Sequence, residues 1–553
     1  MSVYRQLATR LLGHDSLFVR RTFGGIHPPA FKQHSLRSRI MDTPIPAQLH
    51  IPLNTTQRES LSMLVAIGER VRKYQKLAEV SLGDDHGTSL PVHAPTSGVM
   101  RALALAPVAD HESSEQLCLT LEADGRDEAI ALRPEANAAI ERLSGAEIQV
   151  RIRDAGILGM GGAGFPTAVK IESGNGFGVE LLIINCAECE PYISADEALI
   201  RERAEHVVAG AELLRRACSA RRLVIAIEDS KNDAIAALRQ ALESETVLET
   251  RCELIVIPAK YPAGSERQLI ECLTGVEVPS AEYPTGSGIL VQNCGTAHAS
   301  YEAVVLGRPC ISRITTLCGE ALLTPKNFEV LLGSSIDFLF GLCGLKQADL
   351  SRSVLGGSLM GRELASTESV VCKTTNCLIA AGRGELPAAP AEQACIRCGF
   401  CADVCPARLL PQQLLAHCKT GDSIELIEHG LLDCIECGAC DYICPSHIPL
   451  VSAFKDSKLS IDERQRDRQR SKYWQNRFQF RQYRIKKDKE QSLASRAEAR
   501  KSSLEPIEQA ASEAAADGAG GFSKEQASRE IAAAVARVKA RRGASSSDKD
   551  ESK

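Results

Sequence analysis

Two short stretches concentrate residues that can do chemistry. CIRCGFCADVCP, residues 395–406, and CIECGACDYICP, residues 434–445, each set three cysteines three positions apart and a fourth four positions later, followed by proline. A tight loop can put Cys395, Cys398 and Cys401 on three corners of an iron–sulfur cubane, while Cys405, led away by Pro406, is free to reach elsewhere. In bacterial two-cluster chains the fourth cysteine of each run ligates the other centre. That arrangement assigns Cys395, Cys398, Cys401 and Cys444 to one [4Fe–4S] centre, and Cys434, Cys437, Cys440 and Cys405 to the second. Zinc is the alternative, and it prefers separated CxxC pairs to triplets. Two one-electron centres make a wire, and a wire needs a source of electrons.

The candidate source is GILGMGGAGFPTAVK, residues 156–170. It contains GxGxxG at Gly159, Gly161 and Gly164, yet DAGIL separates these glycines from IQVRI, which reads as the preceding strand, so the dinucleotide fingerprint is incomplete. The residue types suit an anion cradle: glycines let N–H groups converge on phosphate, Pro166 can start a helix, and Lys170 can add charge. A plain flexible loop is the alternative.

These residues need a frame. The chain has 553 residues, net charge −5 and 21 cysteines, enough length for several domains and no global positive field toward nucleic acid. No run approaches the roughly 18 apolar residues of a membrane span. MSVYRQLATRLLGHDSLFVRR lacks the apolar core of a secretory signal and reads as an N-terminal arm. So many cysteines without such a signal point to a reducing, cytosolic-facing setting. The thirteen cysteines outside the two runs are expected to be mostly small buried hydrophobes. Short strands with turn residues fill 41–125. Strands and helices then alternate: VELLIIN precedes a helix opened by a Ser194–Glu197 capping box, RLVIAIED precedes NDAIAALRQALES, and CELIVIP precedes GSERQLIECL. This pattern predicts a mostly parallel sheet covered on both faces, with ligands beyond its carboxyl ends. A β-rich section follows at 311–344, then the cysteine region, and after about 456 a charged, alanine-rich segment that reads as solvated helix or disorder.

Taken together, GGIHPP, APTSG, GGAGFPTAVK, AECEPYI, VVLGRP, KTTNC and both cysteine runs resemble the RnfC component of the Rnf (Rsx) electron transport complex across about residues 20–455. GMGGAGFPTAVK, NCAECEP, KYPAGSERQLI and VQNCGTAHA are also similar to the FMN- and NADH-binding subunit of respiratory complex I. The chain departs from the latter at Met160, Ala187 and Cys189, where that pattern has arginine, aspartate and serine, and its two cysteine runs favour the Rnf assignment.

The resemblance implies a multidomain α/β and α+β chain: an arm (1–40), a barrel-sandwich β-domain (41–125), a Rossmann-like FMN/NADH domain (126–305), a soluble-ligand-binding β-grasp domain (306–380), a two-[4Fe–4S] ferredoxin-like domain (381–455) and a charged tail (456–553). The barrel-sandwich lacks the hairpin lysine of biotinyl and lipoyl carriers and reads as structural or docking. By matching position, Gly159, Gly161, Gly162, Gly164 and Lys170 would hold FMN phosphate and ribityl groups. Asn185, Glu188, Tyr261, Gly264, Glu266, Asn293 and Thr296 would line the flavin pocket, Phe165 would stack on the NADH adenine, and Glu190 would lie near the nicotinamide. Each also has an ordinary structural role available to it: Phe165 in a core, Tyr261 packing a loop, Glu266 facing a helix dipole.

The implied activity is an NADH-linked oxidoreductase subunit: hydride from NADH to FMN, then single electrons through two [4Fe–4S] clusters. Implied partners are a ferredoxin-like iron–sulfur subunit and integral membrane subunits, on the cytoplasmic side of the inner membrane, with no nucleic acid. Two alternatives stand: a corrinoid reductase of bacterial microcompartments, and a non-enzymatic relay scaffold with an inactive flavin site. YWQNRFQFRQYRIKK, residues 473–487, mixes basic and aromatic residues and could meet an anionic membrane, a membrane subunit or nucleic acid, or be a solvated helix.

Overall fold

The computed structural model describes residues 19, 22–55, 60–82, 89–110, 114–244, 252–280, 282–387, 390–516 and 524–544. Most of the N-terminal stretch MSVYRQLATRLLGHDSLFVRR lies outside them. The chain divides into two units, Met1–Ile461 and Asp462–Lys553.

Strands β1 (Met41–Asp42), β2 (Gln48–Pro52), β3 (Leu61–Met63), β4 (Arg70–Val71), β5 (Lys76–Ser81), β6 (Ser89–His93), β7 (Gly98–Ala109) and β8 (Glu115–Ala123) open the first unit. β2, β8 and β7 pair antiparallel, β4 adds to β7, and β3–β5–β6 form a second small sheet. Alternate residues of both sheets, among them Leu49, Ile51, Val92, Leu119 and Leu121, meet in one apolar core.

Next comes a four-stranded sheet of β9 (Leu181–Cys186), β10 (Arg222–Glu228), β11 (Cys252–Ile257) and β12 (Ile289–Asn293), all parallel, in the order β11-β10-β9-β12. Successive residues of β9 serve opposite cores: Leu182 and Ile184 pack on one face, Leu181 and Ile183 on the other. A near-continuous apolar run is what a sheet covered on both sides requires. Helices α1 (Gly145–Asp154), α2 (Thr167–Phe177), α3 (Ala195–Ala217), α4 (Asn232–Ser244), α5 (Glu266–Thr274) and α6 (Cys294–Val305) accompany it.

Two expectations here are corrected. IQVRI is not a strand but part of α1, where Ser144 and Glu147 form a reciprocal capping box and Ile148 and Ile152, one turn apart, are buried. The box expected at Ser194 does not form. The Ser194 hydroxyl is taken by Ser35 at 2.7 Å and by Asn327 at 3.2 Å, and Glu188 caps α3 instead, accepting from the N–H of Asp196 at 2.9 Å.

A mixed sheet in the order β1-β14-β13-β18-β15-β16 follows, built from β13 (Ser312–Cys318), β14 (Lys326–Leu331), β15 (Arg352–Leu355), β16 (Arg362–Glu363) and β18 (Cys377–Ala381). The β-rich section ends in a helix, α7 (Ile336–Leu342), because Ser335 caps it and Ile336, Leu339 and Phe340 bury one side. The modules exchange strands: β1 pairs in parallel with β14, and β17 (Val370–Val371) with β7.

The cysteine region is short helices and loops. Gly399 and Gly438 take φ of 84° and 73° to turn each run tightly. Helices α8 (Pro411–Thr420) and α9 (Ser423–Glu428) join the two runs and pack on Leu431, Ile448 and Phe454. Helix α10 (Leu450–Ala516) is exposed throughout 463–506, and α11 is Lys524–Ala544. Among the described residues no helix is long and apolar enough to cross a membrane. Ten of the thirteen other cysteines are buried, as expected for small hydrophobes.

Candidate redox site

The strand order reverses between β9 and β12, and in open parallel sheets the crevice beyond such a switch point is where ligands bind. Asn293 ends β12 and stands directly opposite Asn185, one residue before the end of β9, in the ladder. Asn185 donates from Nδ2 to the Gly264 carbonyl at 2.8 Å and accepts from the Ala187 N–H at 3.0 Å. Asn293 caps α6, accepting from the Gly295 N–H at 2.8 Å, and donates to Asp196 at 2.6 Å. Burial, then the neighbouring Glu188, raises the Asp196 carboxyl to about 6.

The glycine loop arches over this pair. Gly159 donates to the Phe165 carbonyl at 2.8 Å, closing the loop, and the Met160 N–H donates to Thr296 Oγ1 at 2.9 Å. A Cβ on Gly161 would sit 3.5 Å from Asn293, whereas Gly162, at φ 108°, faces open space. Gly164 lies so close to Thr374 that a Cβ would meet its methyl at 2.8 Å. Phe165 is 51% exposed at the rim, free to stack.

Lys170 and Glu266 are brought together, but onto each other: the ammonium bonds Glu266 at 2.8 Å and the Val291 carbonyl at 2.8 Å, tying α2 to α5 and β12. Glu188 and Tyr261 face a separate cavity of about 490 Å³ with Lys32, Glu228 and Lys231. Lys231 lies within 3.5–3.7 Å of Glu188, Glu197 and Glu228. Burial pulls its ammonium down, yet the three carboxylates outweigh that and hold it above its ordinary value.

Glu190 Oε1 accepts from the N–H groups of Leu359 at 2.7 Å and Met360 at 3.0 Å. Burial raises its carboxyl. Tyr261, beside it, donates its hydroxyl to the Cys437 carbonyl at 2.5 Å. The arm closes the same seam: Ile26 bridges Tyr261, Gly25 donates to Val404 at 2.8 Å, and Gly24 touches the Cys405 backbone so closely that a Cβ would lie 2.6 Å from its oxygen.

Cys395, Cys398, Cys401 and Cys444 line one small cavity. Cys405 sits instead within electrostatic reach of Cys434, Cys437 and Cys440. Burial pushes the thiols of Cys434, Cys437 and Cys440 up, Cys437 to about 12, so thiolates there need a cationic core to stabilise them. The second run is tucked beneath Tyr261, while Cys395 and Cys398 are exposed beside Ile396 and Phe400. Each set of four convergent, unbridged thiols fits an iron–sulfur core. The open glycine cradle fits a flavin nucleotide, whose phosphate would take N–H donors.

KTTNC, for which the sequence offers no role, is the clamp that holds the loop. Lys373 donates to the Gly156 carbonyl at 2.6 Å, Thr374 to Asp110 at 2.9 Å and Thr375 to the Ala109 carbonyl at 2.7 Å. Arg313 adds a bond to the Met160 carbonyl at 2.9 Å. Their partners are 153 to 266 residues away, so spacing could not reveal them.

Three family models match: an RnfC barrel sandwich hybrid domain over residues 21–126, a Nuo51 FMN-binding domain over 152–302 and a 4Fe-4S dicluster domain over 394–448. The chain therefore combines barrel-sandwich, FMN-binding and dicluster iron–sulfur modules. It is 42% identical over 480 residues to the RnfC-type subunit of the ion-translocating oxidoreductase complex of Erwinia tasmaniensis, covering 87% of this chain and 58% of that protein. It is 40% identical to the same subunit of Yersinia enterocolitica, covering 84% of this chain and 65% of that one. The Yersinia pestis subunit, also 40% identical, is covered to 73% by 84% of this chain. The chain thus spans 58% to 73% of the length of these relatives. On this identity and coverage, it belongs to the RnfC family of ion-translocating oxidoreductase complex subunits.

Proposed function

We propose that this chain is the peripheral, NADH-binding electron-transfer subunit of a membrane-bound ion-translocating ferredoxin:NAD oxidoreductase, working on the cytoplasmic side of the inner membrane. The observation that carries this reading is one seam: the loop after β11 meets Asn185 through the Gly264 carbonyl at 2.8 Å and Cys437 through the Tyr261 hydroxyl at 2.5 Å, so a single loop would join the flavin site to a cluster loop. Gly159, Gly161, Gly162 and Gly164 would cradle FMN, with Asn185, Gly264, Asn293 and Thr296 fixing its orientation. Phe165 would stack on the incoming nucleotide. Glu190, its carboxyl raised by burial, would offer a hydrogen bond near the nicotinamide. Lys170 and Glu266 would act as a pair that positions the pocket wall, and Glu188 would act through α3. Bound FMN would supply two-electron acceptance from NADH, and the clusters single-electron relay.

The cluster held by Cys434, Cys437, Cys440 and Cys405 would lie nearer the flavin. The one held by Cys395, Cys398, Cys401 and Cys444 would meet the next carrier, an iron–sulfur partner subunit. The mixed sheet with α7 would be the β-grasp module, and α10 would face membrane subunits.

A second reading, a relay with an inactive flavin site, is favoured by one observation: Glu266 neutralises the Lys170 charge that a phosphate would want. An anaerobic absorbance titration of the flavin- and cluster-loaded full chain with NADH separates the two. Bleaching of flavin and cluster bands is expected. Loaded flavin that stays unreduced by NADH, with intact clusters, would establish the relay instead.

A further inference from the structure

The helix pair between the cysteine runs carries a second cluster of ligating side chains that neither the flavin nor the iron–sulfur site uses. His417, in the last turn of α8, Glu425, in the first turn of α9, and His429, the residue just past its end, bring one ligating atom each to within 4.8 Å of one another. The imidazoles are 4.7 Å apart between centroids, tilted by 37°. Glu425 Oε2 is 3.6 Å from His429 Nδ1.

Two features beyond proximity suit a metal. His429 Nδ1 lies 2.9 Å from the Glu425 carbonyl oxygen. A carbonyl only accepts, so in the neutral ring this contact selects the tautomer with the proton on Nδ1 and the lone pair on Nε2. That is how ligating histidines are usually fixed, the second ring nitrogen donating to a backbone carbonyl. The side chains of His429 and Glu425 are also 35% and 43% exposed, so an ion can reach them. Bonds of roughly 2.0–2.1 Å require ligand atoms closer than they now stand, a closure of about 1.5 Å that side-chain rotation supplies.

We propose that His417, Glu425 and His429 bind one divalent transition-metal ion of the zinc class, with water completing its coordination. Two imidazoles and a carboxylate favour zinc over magnesium or calcium, which prefer oxygen. The ion would pin α8 to α9. Since α8 also carries Gln412, whose side-chain amide lies 3.4 Å from Cys401 Sγ, occupancy would stiffen the strap beside the exposed cluster.

The test uses the full chain with flavin and clusters loaded, given one equivalent of zinc sulfate anaerobically and then desalted. About one zinc per chain is expected, with a zinc-edge X-ray absorption spectrum showing a nitrogen and oxygen shell and imidazole scattering. The His417→Gln/His429→Gln variant should retain at least about tenfold less zinc at unchanged iron and flavin content. Zinc held through sulfur, wild-type retention in the variant, or no retention by the wild type would each overturn the proposal.

Discussion

Gly162 shows how much one missing side chain can decide. At φ 108° an L-residue is strained, and the space its Cβ would enter is the mouth of the cradle. Gly162→Ala should therefore lower flavin retention by about tenfold, equivalent to roughly 1.4 kcal/mol, while iron content stays unchanged; flavin fluorescence after desalting reads it. The cysteines make a sharper prediction, because in the proposed ligation their roles would cross. Cys398→Ala should leave about four irons per chain. Adding Cys444→Ser should change that little, because both residues would serve one cluster, whereas adding Cys405→Ser should remove most of the rest. If the two double variants hold equal iron, the crossed ligation is wrong.

Among elements, the carboxyl ends of the parallel strands do the organising. Glu188 follows β9, Glu228 ends β10 and Lys231 starts the turn into α4, so a buried ion cluster forms where the strands stop. Lys231→Met would leave its carboxylates buried without their shared counter-ion. That should cost about 3–5 kcal/mol, visible as a lowered urea midpoint. The Ser194–Glu197 pattern looked like a self-sufficient cap, but the strand loop supplies Glu188 from six residues upstream of Ser194 and frees the serine to bond the arm. Local sequence could signal a helix start there; which group caps it depended on the packing of an element 159 residues away.

Across the whole molecule, modules are joined by buried polar groups rather than by apolar surface alone. His298 in α6 is an example: it is buried beside Arg203, with His206 stacked at 5.6 Å and Glu329 nearby. Burial first, then Arg203, lowers its imidazole to about 3, against 6.5 when unfolded. Between these values the unfolded chain takes up a proton that the folded one refuses, so stability falls as pH drops through that window. From pH 7 to 5.5 this contributes about 1 kcal/mol. His298→Gln should flatten the pH dependence of the unfolding midpoint by that amount, and an unchanged slope would exclude this origin.

By itself the sequence determined the pieces whose logic is local. Cysteine spacing sets what a loop can ligate, apolar runs of six residues flanked by turns specify doubly covered strands, and short strands separated by turn residues in 41–125 specify a small β-domain. It misread IQVRI because five residues of alternating character fit a strand as well as a helix, and only the Ser144–Glu147 box, one turn upstream, decides between them. Tertiary structure alone decided that KTTNC clamps the glycine loop, that Lys170 is neutralised by Glu266, that β1 and β17 leave their own modules, and that Tyr261 reaches Cys437 across 176 residues. The reason is physical. Side-chain periodicity records which face is buried, but a hydrogen bond between distant segments needs two donor and acceptor positions fixed to within a few tenths of an ångström, and only the packed chain fixes both.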